Sequence, residues 1–155
     1  MRRRAANARL SAARAFMNIS SKGQYALLIL FDLASQNAGK PVRIASIAKR
    51  QNIPRKYLEL ILLSLKQGGF VESQRGAEGG YSLARPPESI TVGEVLQFVD
   101  GPARKPKGPK RATPFTELWR SVDESVAGIM DGTNFAAIVR DWEEKQRDYV
   151  HDWDI

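Results

Sequence analysis

Apolar residues recur at helical spacing through most of the chain, with one break where the period changes. Tyr25, Leu28, Ile29 and Phe31 to Leu33 give a thick apolar face that predicts a helix over 20–35, capped by Ser20 or Ser21 and closed before Gly39. Ile44, Ile47 and Ala48 predict a second helix over 44–51, and Asn52 suits a left-handed turn after it. A third helix starts at Pro54, a residue tolerated in the first turn. Its buried stripe is Tyr57, Leu58, Ile61, Leu62 and Leu65, and Gly68-Gly69 stops it. Short strands then fit 70–74 and 81–84, around a turn from Arg75 to Gly80 whose three glycines allow positive φ.

Beyond the hairpin, Thr91 and Glu94 match a capping box with Ile90 and Val95 as its staple, so a fourth helix runs from Val92 to about Asp100. Residues 103–114, ARKPKGPKRATP, have linker composition. A fifth helix from Phe115 to Met130 carries Trp119, Val122, Val126 and Ile129 at the 3-4-3 spacing of a coiled-coil seam. Thr133 is placed to cap a last helix bearing Phe135, Ile138, Val139, Trp142, Tyr149 and Trp153.

The order helix, tight turn, helix, glycine-centred hairpin is that of a winged helix-turn-helix. The expected class is therefore mainly α with a small β-hairpin. Four segments follow: a basic extension at 1–18, a DNA-binding domain at 19–102, a linker at 103–114 and two C-terminal helices at 115–155. The apolar stripes of those two helices either complete the core or form a dimer interface. The second use is favoured, with Phe115, Leu118, Trp119, Val122, Val126 and Ile129 as the seam.

Charge sharpens this picture. The formal net charge is +7, unevenly spread. Residues 1–18 hold five arginines and no acid, and 19–84 hold nine Lys/Arg against four Asp/Glu. The last stretch, 135–155, reverses to six acids and three bases. Positive charge thus lies on the expected DNA-binding part. Three readings of 1–18 compete: a DNA-hugging arm, a transit-like peptide, or an over-long start with Met17 as the true first residue. No apolar run is long enough to span a membrane. The chain has no cysteine, which excludes disulfides, thiol catalysis and thiolate-bound metal clusters. The single histidine, His151, reads as a surface residue. No nucleophile–base or metal constellation is visible, so an enzyme and a bound cofactor are not expected.

A recognition helix reads base edges through its exposed N-terminal side chains. Here those are Arg55, Lys56 and Glu59; arginine pairs two-pronged with guanine and glutamate accepts from cytosine N4. Outside such a motif they would be ordinary solvated charges. Arg75, with Gly76, sits at the hairpin tip, where a guanidinium can enter a minor groove. Ser20, Ser21 and Lys22 can donate to phosphate at a helix start, while Tyr25 fits a hydroxyl contact and core packing equally. The linker cations Arg104, Lys105, Lys107, Lys110 and Arg111 read as solvated, with non-specific attraction as the alternative.

Several stretches carry a resemblance: ISSKGQYA at 19–26, DLA at 32–34, IPRKYLE at 53–59, LKQGGFVESQRGAEGGYSLA at 65–84 and ITVGEV at 90–95. Together they resemble the Rrf-type family of bacterial winged-helix transcriptional regulators, the IscR, NsrR and CymR group. Cluster-bearing sensors of that family place three cysteines after the fourth helix. This chain has ARKPKGPKRATP there and so resembles the clusterless branch of the cysteine-metabolism repressor. Two departures stand out. Arg43 occupies a position where many members have a Ser or Thr cap, and Leu60 one where glutamine is common.

The resemblance implies a cytoplasmic, homodimeric regulator, in the first instance a repressor, on a pseudo-palindromic double-stranded operator. The signal, a small-molecule or protein effector, stays open. The alternative is a protein-interaction adaptor whose winged helix docks a partner, which exposed Leu60 and Leu63 would favour.

Overall fold

A computed structural model describes residues 18–36, 39–101 and 111–151, with His151 described by its backbone alone. The expectations for the 1–17 extension, linker residues 103–110, the His151 side chain and Trp153 lie outside the described residues. Among the described residues, six helices and one hairpin follow in order: α1 (Ser21–Ser35), α2 (Ile44–Gln51), α3 (Arg55–Gln67), β1 (Val71–Gln74), β2 (Gly80–Leu83), α4 (Val92–Asp100), α5 (Thr116–Gly132) and α6 (Phe135–His151). A short 3-10 turn at Pro87–Ser89 precedes α4.

The core is the shared apolar face of α1, α2 and α3. Ala26, Ile29, Leu30, Ile47, Leu58, Ile61, Leu62 and Leu65 are buried there, closed below by Phe70, Val71, Ile90 and Val95. Tyr57 corrects the expected stripe: it is 58% exposed, because it lies one helical step outside the arc of Leu58, Ile61, Leu62 and Leu65. Asn52 does take the left-handed conformation, φ 52°, ψ 48°, and turns the chain from α2 into α3. Pro54 stands just before α3 rather than inside it.

The hairpin is antiparallel, with Val71 opposite Leu83 and Gln74 opposite Gly80, so β2 begins one residue earlier than the sequence pattern implied. Its outer edge is joined to the segment before α2. Val42 and Tyr81 exchange both backbone bonds, at 2.7 and 2.8 Å. Gly80 makes this approach possible, since a Cβ there would lie 2.3 Å from the Val42 carbonyl oxygen.

The staple residues Ile90 and Val95 are both fully buried. The capping box is half made. Thr91 Oγ1 accepts from the Glu94 amide at 3.2 Å, but the Glu94 carboxylate turns to Arg85 Nη2 at 2.7 Å. Thr133 is not the cap of α6. Asn134 Oδ1 accepts from the Ala137 amide at 2.8 Å, whereas the Thr133 hydroxyl donates back to the Ile129 carbonyl at the end of α5. Phe135 enters the core, and α6 lies along α1, with Trp142 edge-on to Phe31 at 6.3 Å between ring centroids. Helix α5 is different: none of its residues is buried. Among the described residues no helix is long and apolar enough to cross a membrane.

Candidate nucleic-acid interface

The third helix buries one face, so its opposite face and its N-terminal turn must meet solvent or a ligand. Arg55, Lys56 and Glu59 are all exposed there. Arg55 Nε donates to Glu59 Oε1 at 3.2 Å, one helical turn on. In the free protein this contact holds the guanidinium against the helix while leaving its remaining donors outward. The pair is worth a few tenths of a kcal/mol at most, because both side chains are solvated. Leu60 and Leu63 share this exposed face, where branched methyl groups can meet thymine methyls.

The hairpin presents Arg75 at its tip, with Gly76 next to it at φ +111°. β1 is tied to α3 by Lys66 Nζ, which donates to Ser73 Oγ at 2.6 Å. α3 and the hairpin are therefore braced together by this bond, and the hairpin is joined to the segment before α2 by the Val42–Tyr81 bridge.

The start of α1 is organised differently from expectation. Ser20 caps it, accepting from the Gly23 amide at 2.9 Å. Its hydroxyl and amide both donate to the Asp100 carboxylate, the amide at 3.2 Å. An anion thus already sits on this helix end, where the expected phosphate would bind. Ser21 and Lys22 remain exposed, and Tyr25 packs half-buried against the core.

Two further features rest on long-range contacts that the sequence does not signal, although DLA at 32–34 and Arg43 both stand out in it. Asp32 in α1, 1% exposed, accepts from Arg50 Nε at 2.9 Å, Arg50 Nη2 at 2.8 Å and Gln51 Nε2 at 2.9 Å. It anchors the end of α2. Its hydrogen bonds hold the Arg50 charge above the ordinary arginine range, against the opposing effect of burial. The second is Arg43, which carries no capping bond for α2 and instead donates to the carbonyl oxygen of Ala77 in the hairpin turn.

Against known families, residues 19–141 match the model described as Rrf2, iron-dependent transcriptional regulator. The chain belongs to the Rrf2 family. Its relatives include the HTH-type transcriptional regulator CymR of Bacillus subtilis, 33% identical over 135 residues, 86% of this chain and 98% of that one. The IscR of Cereibacter sphaeroides is 35% identical over 136 residues, 80% and 88% of the two chains. Among solved structures, CymR, the global cysteine regulator of B. subtilis, superposes with a TM-score of 0.74 at 33% identity, covering 79% of this chain and 95% of that one. T. potens IscR gives 0.70 at 34%, covering 83% and 90%. The winged-helix architecture and the role in transcription regulation follow from this membership. The family description names iron, but this Rrf2 protein has no cysteine. Among its described residues no three His, Cys, Asp or Glu side chains converge as a metal site. The residues present do not fit a thiolate-held cluster.

Proposed function

We propose that this Rrf2 protein is a homodimeric repressor in the bacterial cytoplasm. It reads a pseudo-palindromic operator and answers its signal without a cysteine-bound cluster. One observation carries the reading. Arg55, Lys56 and Glu59 on α3 and Arg75 on the hairpin are all exposed, on two elements tied to one another. A helix in a major groove and a hairpin on the flanking minor groove need that combination of free cations and mutual bracing. Ser21 and Lys22 add phosphate contacts beside them. Two copies would pair through the seam of α5, putting their recognition helices into successive grooves.

Selection of bound genomic fragments with purified protein, followed by gel shift of the enriched sites, tests this. The expected result is one inverted-repeat motif, bound with an affinity that falls steeply with salt as counterions are released. Uniform affinity for all fragments would overturn it. Exposure of Tyr57, Leu60 and Leu63 favours a second reading, in which this surface docks a partner protein. Gel shifts with and without cell extract separate the two, since an adaptor needs the extract to retain DNA.

A further inference from the structure

Arg43 stands at the start of α2 in extended backbone, φ −69°, ψ 142°, and gives that helix no side-chain cap. A Ser, Thr, Asp or Asn there would accept from a first-turn amide. Arginine has no acceptor to offer. Its side chain runs along the hairpin instead, and Nη2 donates to the carbonyl oxygen of Ala77, 34 positions later.

Ala77 lies in the middle of the exposed stretch from Arg75 to Glu78. Within that turn the Gly79 amide donates to the Gly76 carbonyl at 3.0 Å. Below it are two strands of four residues each. A ribbon this short is marginal by itself. The turn-side end of β2 is fastened at Val42, the residue before Arg43, through the paired bonds to Tyr81. Arg43 therefore adds a second tie, inside the turn, beside the one its neighbour makes to the start of β2. A planar, pre-organised guanidinium suits that task better than a flexible ammonium.

We propose that Arg43 is a positioning residue for the wing. It fixes the hairpin tip, and with it Arg75, at one height relative to the recognition helix. The tie itself is independent of what the wing binds; its consequence for affinity rests on the DNA-binding reading above.

The tie is tested first without DNA, by NMR amide exchange and backbone order parameters of wild type, Arg43→Met and Arg43→Lys. Arg43→Met should loosen amides 76–79 and leave core amides unchanged, with Arg43→Lys in between. Unchanged wing amides in Arg43→Met would overturn the proposal. The consequence is tested by a double-mutant cycle with Arg75→Ala on operator DNA. Alone, Arg43→Met should weaken binding roughly fivefold to tenfold; in the Arg75→Ala background its effect should shrink below about twofold. Additive losses with a shallower salt dependence would make Arg43 a phosphate contact in its own right and overturn the positioning role.

Arg43→Ser adds a readout that a purely structural role would not give. It supplies the missing cap, so the melting temperature should rise while operator affinity falls. Wild-type affinity in that variant would overturn the proposal. If no operator exists, the DNA-binding reading fails, and the free-protein measurement still decides the tie.

Discussion

Asp32 is the buried charged residue among the described residues, and three donors converge on it from the last turn of α2. Asp32→Ala would strand those donors at the joint between α1 and the helix-turn-helix. Arg50 keeps partial access to water, which limits the penalty. The expected loss is about 2–3 kcal/mol in urea unfolding, and Asp32→Asn should cost less. Arg55 and Arg75 behave oppositely. Each alanine variant should lose roughly 1–3 kcal/mol of operator binding while its melting temperature stays near wild type, as both residues are exposed. Parallel titrations and thermal melts check this pair of outcomes. The exposure of Arg55, Lys56 and Arg75 was legible in sequence because they lie opposite a buried stripe or inside a glycine turn. The Asp32–Arg50 pair was not: its partners are 18 residues apart, and no local period marks a long-range contact. Nor was the acid on Ser20, which comes from Asp100, 80 positions away.

At the scale of elements, helices and hairpin were readable because each carries its own punctuation. Asn52, Gly68-Gly69 and Thr91 end or start elements where expected. The boundary between α5 and α6 was misplaced by one residue. Thr133 and Asn134 both have capping side chains, and only the direction of the entering chain chooses between them. The choice has a measurable consequence. Asn134→Ala should lower stability by about 1 kcal/mol, and Thr133→Ala by less, because its hydroxyl only returns to a carbonyl at an exposed helix end. Equal losses in thermal denaturation would mean that the cap has been wrongly assigned. The hydrophobic pattern also could not show that α6 would be divided in use. Its first residue, Phe135, belongs to the core, while Tyr149 and Val150 near its end are exposed.

Over the whole molecule, α5 carries a broad exposed apolar stripe. Leu118, Trp119 and Ile129 leave large apolar surfaces in water, Ile129 at 68% exposure. A helix of 17 residues with no buried member gains little from folding alone, which supports the second copy proposed above as its partner. Trp119→Glu together with Val126→Glu should yield a monomer in light scattering. That monomer should keep the helical content of the winged domain and bind operator DNA at least tenfold more weakly, since it loses the second half-site. A dimer that survives both changes would place the interface elsewhere. The apolar stripe proposed as the seam was visible in sequence as a 3-4-3 spacing, because coiled-coil periodicity does not depend on what lies opposite.

The paired bonds between Val42 and Tyr81 also bear on how the protein behaves when concentrated. They close part of the outer margin of β2, which would otherwise offer open amides to a neighbouring ribbon. Glu72 places a charge on the short remaining strand. The exposed hairpin is therefore a poor template for fibre growth.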